Sequence, residues 1–197
     1  MGWAERLGAV PLLVALGPVL IVTGIIVFVL SRRSPLVAHQ RVGFGGRSLW
    51  TLKFRTMWPC ARVGSSWLVE RIVEHPGPEI KPLADPRVTS AFARFCRRFS
   101  IDELPQLVNV VRGEMSLVGP RPLTLEEMRA HYAYDAPEVL SVKPGITGLW
   151  QVMGRSRLTY AQRRRLDLFL VRKHSARLYA AILLRTLPEV LAGRNSW

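Results

Sequence analysis

The sequence is short of cysteine, short of acidic residues, and lacks the nucleotide-binding signatures that a reader can find by eye. Only two of its 197 residues are cysteines, Cys60 and Cys96, and they have no paired spacing. Neither a disulfide framework nor a zinc site is indicated, and a reducing compartment is the simpler setting. An ordinary buried thiol accounts for either residue. No Walker sequence, dinucleotide fingerprint or Ser-His-Asp order is present, so any phosphate must be held by side chains and loops. There is no internal repeat or low-complexity tract, and the length suits one domain with a real core plus appendages. Asp and Glu number fourteen against twenty-eight Lys and Arg, a formal net charge of +14. Such a surface favours polyanions: nucleic acid, anionic lipid headgroups or phosphorylated substrates. Charge alone does not choose among them.

What the sequence does have is one long apolar run. From Leu7 to Leu30 there is no charged residue, and at about 1.5 Å per helical residue this run reaches roughly 36 Å, enough to cross a bilayer core. It is too long for the apolar region of a signal peptide, and the following "SRRSP" is no small-residue cleavage site. Gly17 and Pro18 fall mid-segment, where proline removes a helical hydrogen bond, so a sharp kink is expected. Two geometries compete: a kinked spanning helix, or a re-entrant helix-break-helix returning to the same face. Arg32, Arg33 and Arg41 place the C-terminal flank in the cytoplasm under either.

Beyond it, "VAHQRVGFGGRSLWTLKFRTM" predicts a short strand and loop region, with a strand at "LWTLKF". Residues 58–88 carry many prolines and read mainly as loop, with one short helix around Trp67 to Val73. "VTSAFARFCRR", Val88 to Arg98, has apolar residues at helical spacing. "LTLEEMRAHY" predicts a helix opened by Thr124 with Glu127 in capping-box spacing. "TYAQRRRLDLFLVRK" reads as a basic helix, and "ARLYAAILLRTLPEVLAGR" as a helix suited either to a bilayer surface or to core packing.

Candidate chemistry centres on "RRFSIDELPQL", residues 97–107. Ser100 and Glu103 could form a capping box. Alternatively Pro105 obstructs that helix, which then starts near Pro105 and leaves Asp102 and Glu103 at its N-terminus, where amides stabilise negative charge. Both readings stay open on local physics. "NVVRGEMSLVGPRP" offers Arg112 and Arg121 in a glycine-proline loop, with forked donors suited to phosphate. "KPGITGLWQVMGR" frames three glycines between Lys143 and Arg155, and Lys53 and Arg55 form a third basic group on the expected strand. Glycine-proline punctuation alone also fits plain turns.

In that order, "LKFRTM", "DPRVTSAFARFCRRFSIDELPQLVNVVRGEMSLVGPRP", "KPGITGLWQVMGR" and "RRRLDLFLVRKHSARLYAAILLRTLPEVLAGR" resemble the bacterial sugar transferase family, the small monotopic polyprenyl-phosphate phosphoglycosyl transferases, over nearly the whole chain. The resemblance implies transfer of a sugar-1-phosphate from a nucleotide diphosphate sugar, UDP-linked in first expectation, to undecaprenyl phosphate, initiating surface glycan or exopolysaccharide assembly. It implies Asp102 as the nucleophile, forming a covalent phosphosugar-aspartate, and Glu103 as the residue that helps hold Mg²⁺. The basic surround is then a requirement, because a carboxylate attacking a pyrophosphate meets like charge that must be neutralised. Lys53, Arg55, Arg98, Arg112, Arg121, Lys143 and Arg155 are the expected phosphate-binding residues. The fold implied is α+β and mainly helical. Residues 1–34 form a re-entrant membrane helix broken at Pro18, with Gly17 where the family usually carries serine. Residues 35–197 form a cytoplasmic, membrane-associated catalytic domain of short strands and interfacial amphipathic helices, on the cytoplasmic face of the bacterial inner membrane. No nucleic-acid partner is implied, and a homodimer is compatible with the sequence. Without the large N-terminal membrane bundle of longer relatives, a minimal catalytic form is expected. Segment 58–84 departs from the family's usual acidic stretch. The competing class is a membrane-anchored binder of anionic polymers or lipids, in which Asp102 and Glu103 merely cap a helix and magnesium is not needed.

Overall fold

The structure, a computed structural model, describes residues 2–57, 68–73, 88, 90–154 and 157–192. Arg155, Cys60 and all of segment 58–84 except 68–73 lie outside the described residues. The architecture is α+β and mostly helical. Helix α1 (Gly2–Ser31) leads into strands β1 (Leu36–Val42) and β2 (Ser48–Phe54), an antiparallel pair with Leu36 opposite Phe54 and Val42 opposite Ser48. The strand expected at "LWTLKF" is therefore present.

The helix expected around Trp67 to Val73 is not. Val69–Ile72 forms β3, which joins the other edge of β1 in parallel, Leu36 opposite Val69. Leu68, Val69 and Ile72 have apolar spacing that fits one helical face. Val69 and Ile72 are β-branched, however, and the open edge of β1 supplies backbone partners that no local pattern reveals.

Helix α2 (Ala91–Arg98) starts three residues later than Val88, because Ser90 caps it by accepting from the Ala93 amide at 2.9 Å. A 3-10 turn (Ile101–Gln106) follows, then α3 (Leu107–Val111) and β4 (Ser116–Val118). Helix α4 (Leu125–His131) opens with the expected capping box, Glu127 amide to Thr124 Oγ1 at 3.0 Å and Thr124 amide to Glu127 Oε2 at 2.8 Å. The remaining elements are α5 (Ala136–Val139), β5 (Gly145–Thr147), α6 (Leu149–Met153), α7 (Tyr160–Arg172) and α8 (Ala176–Ala192). Strands β4 and β5 pair in parallel, Ser116 opposite Gly145 and Val118 opposite Thr147.

The apolar core is divided among small clusters that tie these elements together. Val42, Leu123, Met128, Tyr132 and Tyr160 join β1 to α4 and α7, while Val118, Leu149, Leu170 and Ile182 join β4 to α6, α7 and α8. Helix α1 runs through Pro11 and Pro18 without ending at either. Near its start, Ala9 is buried with Leu49, Val110 and Met115, and Glu5 accepts from Ser116 Oγ and the Tyr179 hydroxyl. Near its end Thr23 and Val27 are buried and Gly24 lies against Phe54. Between these points Val14, Ile21 and Ile25 stay exposed, and Glu5–Ser31 is long and apolar enough to cross a membrane.

Candidate active site

Asp102 and Glu103 sit in the 3-10 turn, and neither of the two local readings describes it fully. Ser100 adopts a left-handed backbone (φ 54°) and its side chain caps nothing, so the Ser100–Glu103 capping box does not form. Pro105 does not start a helix either; it lies inside the turn, with Asp102 and Glu103 in the turn's first residues. Asn109 fixes where this segment lies. Fully buried in α3, its side chain accepts from the Leu52 amide at 3.1 Å and donates to the Trp50 carbonyl at 2.9 Å and to Glu114 Oε2 at 2.6 Å. These bonds satisfy the β2 edge as another strand would and clamp the acidic turn onto β2. Lys53, on β2, therefore reaches Glu103 Oε1 at 2.6 Å.

Asp102 is 9% exposed. Burial first, and Glu103 beside it second, raise its carboxyl pKa well above the usual range, while Lys53 and Arg97 pull it back. Behind it, burial and then the Asp102 charge push the Cys96 thiol up to about 12. Cys96 is thereby an inert packing residue, as its composition-based reading implied.

Asp102 and Glu103 line a cavity of about 390 Å³ whose lining mixes charged and aliphatic side chains. Its charged lining is Lys53, Arg97, Asp102, Glu103, Arg121 and Arg163. Its apolar lining includes Leu12 and Leu16 of α1 together with Leu183, Leu187 and Val190 of α8. Arg121 arrives there because the two glycine-proline loops pair with each other. Gly119 donates to the Thr147 carbonyl and Gly145 to the Pro120 carbonyl, both at 2.9 Å. A Cβ on Gly119 would stand 2.7 Å from the Gly145 amide nitrogen, and one on Gly145 would stand 2.7 Å from Gly119 Cα. Glycine at both positions is thus demanded by close backbone approach. Beyond this pairing the Arg121 guanidinium lies over the Trp150 ring at 5.0 Å.

Of the seven basic residues expected from sequence, Lys53 and Arg121 line this cavity and four others do not. Arg55 is buried and occupied, its Nε donating to the Ser34 carbonyl at 2.8 Å and its terminal nitrogen pairing with Glu70 at 2.5 Å. Arg98 is exposed and lies over the Phe99 ring, while Arg97 lines the cavity. Arg112 is exposed beyond α3, and its carbonyl accepts from Arg6. Lys143 lines a smaller pocket with Glu5, Ser116 and His174. Arg155 is outside the described residues. Sequence reading missed Arg97, Trp150, Gln151 and Arg163. Helical spacing held a signal for two of them: Arg97 follows buried Ala93 by four residues, and Arg163 sits between buried Tyr160 and Asp167 on α7.

A model of the family described as bacterial sugar transferase matches residues 3–193. The chain is 40% identical over 196 residues to a UDP-galactose-lipid carrier transferase of Erwinia amylovora, covering 95% of this chain and 39% of the relative. It is 38% identical over 196 residues to exopolysaccharide production protein ExoY of Sinorhizobium fredii, covering 96% of this chain and 84% of that one. To an undecaprenyl-phosphate galactose phosphotransferase of Salmonella typhimurium it is 40% identical over 162 residues, 79% of this chain but 33% of the relative.

Proposed function

This chain belongs to the bacterial sugar transferase family, and on that premise we propose that it transfers a sugar-1-phosphate from a nucleotide diphosphate sugar to undecaprenyl phosphate. The relatives' names mention UDP-galactose and undecaprenyl phosphate, so a UDP-sugar is the first donor to try. The observation that carries the reading is the mixed lining of one cavity: a buried carboxylate and several cations share it with aliphatic side chains of α1 and α8. A nucleotide sugar alone needs no such apolar lining, whereas a lipid phosphate needs both kinds of side chain.

Asp102 attacks the sugar-linked phosphorus, and the nucleotide monophosphate leaves. Splitting one displacement into two lets the nucleotide depart before the bulky lipid phosphate arrives. Lys53, Arg97 and Arg121 offset the phosphate charge that would otherwise repel the carboxylate. Glu103 supplies hard oxygen donors beside Asp102, which fits Mg²⁺ held by one or two carboxylates plus substrate phosphates. When bound, the ion adds charge neutralisation at the same phosphates.

Both ends of α1 pack on the one domain, Glu5 and Ala9 against α3 and β4, Gly24 against β2. This supports a re-entrant helix at the cytoplasmic face of the inner membrane, since a spanning helix would carry one end away to the other side. The test of function is turnover of purified protein with undecaprenyl phosphate, Mg²⁺ and a panel of UDP- and GDP-sugars. UMP or GMP is the expected released nucleotide. Release of UDP or GDP, or no release with any donor, would contradict the reading.

A further inference from the structure

Two guanidinium groups share one aromatic ring on the lining of this cavity. The Arg121 and Arg163 guanidinium carbons lie 5.0 and 5.2 Å from the centre of the Trp150 ring, which is 5% exposed. Burial, and after it the Arg121 charge, lowers the Arg163 pKa from its usual value. What holds Arg163 there is a second ring, for its guanidinium carbon also lies 5.1 Å from the centre of Tyr160. That ring is itself fixed. The Tyr160 hydroxyl donates to Glu127 Oε1 at 2.6 Å, and His131 stacks on the ring with centres 3.9 Å apart and 6° between planes. Glu127 in turn is tied to the start of α4, where its other oxygen accepts from the Thr124 amide. A phenol that donates to a carboxylate carries more electron density on its ring, which strengthens its hold on a cation.

Stacking uses the flat face of a guanidinium and leaves its in-plane N–H groups for acceptors. Arg55 and Arg172 are held in the other way, with Glu70 and Glu138 on the in-plane donors. The Nε of Arg163 has no acceptor among the described residues. Neither Tyr160 nor Glu127 lines the cavity, whereas Arg163 does.

Resting on the transfer reading above, we propose that Tyr160, fixed by Glu127, is a positioning residue for that reaction: it holds Arg163 in the cavity as a further cation for the donor's phosphates. The donor brings a negative charge on each of two phosphates, and the Asp102 carboxylate adds a third. As the bond to the bridging oxygen breaks, the departing nucleotide monophosphate takes on more charge, so cations matter more in the transition state than in the resting complex. A cation held by a carboxylate arrives already neutralised. One held by aromatic rings brings its whole charge.

The test is steady-state kinetics of the full-length protein with undecaprenyl phosphate, Mg²⁺ and the donor that supports turnover. Arg163→Gln should lower kcat/KM for the donor by about tenfold or more, with part of that loss restored in Arg163→Lys. Tyr160→Phe keeps the ring and removes only the bond to Glu127, and should lower the same ratio about threefold. In the Arg163→Gln background, Tyr160→Phe should have no further effect, because the two residues act as one unit. Arg165→Gln removes a charge from an exposed position on the same helix and should leave the ratio unchanged. Equal activity of Arg163→Gln and wild type, or a Tyr160→Phe loss that persists undiminished in the Arg163→Gln background, would overturn the proposal while wild-type turnover keeps the transfer reading. No wild-type turnover on any donor would remove that reading, and this proposal with it.

Discussion

Asp167 is fully buried in α7, where the Tyr132 hydroxyl donates to its Oδ2 at 2.8 Å. Burial pushes its carboxyl up to about 7, against the Tyr132 bond and the charges of Arg121 and Arg163. The ordinary aspartate value is near 3.9, so between about pH 4 and pH 7 the folded state binds more protons than the unfolded one. Stability from this group is therefore greatest at low pH and is lost as pH rises through that window, by an amount on the order of 4 kcal/mol. Asp167→Asn keeps an acceptor for Tyr132 and removes the titration. Thermal unfolding between pH 5 and pH 8 should accordingly fall less steeply in Asp167→Asn than in the wild type; equal slopes would show that the carboxylate is not held in this way. The residue scale is also where sequence reading was least complete. Asp102 and Glu103 were legible because an acidic pair stands out in a basic chain. Arg97 and Arg98 are adjacent letters, and only the face that α2 buries puts one of them on the cavity and the other over Phe99. Arg55 has the residue type of a phosphate ligand, but the Ser34 carbonyl and Glu70, both distant in sequence, occupy its guanidinium.

At the level of elements, the long periodic segments α7 and α8 and the capped helix α4 were readable, because period, length and cap all agree. Strands β4 and β5 were not. Each spans three residues, too few to show alternation, and each exists only because the other crosses it at Gly119 and Gly145. The glycines singled out as loop signals thus belong to a parallel pairing that holds Arg121 in place. Gly145→Ala forces a methyl group against Gly119 backbone, with no flexible side chain to move aside. It should cost about 3 kcal/mol, the upper part of the usual range for overpacking, and lower turnover through displacement of Arg121. Gly8→Ala, where no atom lies within 4 Å, is the control inside helix α1 and should leave the unfolding temperature unchanged or slightly raised, since alanine favours the helix. Equal unfolding temperatures for the two variants would contradict the close-approach argument.

For the molecule as a whole, α1 is both an apolar helix and part of the lining of the proposed active site, since Leu12 and Leu16 share a cavity with Asp102. Its composition alone left spanning and re-entrant geometries open; its contacts at both ends favour return to one face. Single cysteines at Trp3 and Arg32, in a chain carrying Cys60→Ser and Cys96→Ala, should both react with an impermeant maleimide only from the cytoplasmic side. Reaction of the Trp3→Cys protein from outside would mean that α1 spans. The central claim, that Asp102 carries the sugar phosphate, is tested most directly by intact-protein mass spectrometry. Wild-type protein incubated with the donor that supports turnover and with Mg²⁺, but without polyprenyl phosphate, should gain the mass of one sugar phosphate on the peptide containing Asp102. Added polyprenyl phosphate should discharge it, and Asp102→Asn should show neither adduct nor turnover. Turnover of Asp102→Asn at near the wild-type rate would contradict the account and leave direct attack by the lipid phosphate as the mechanism.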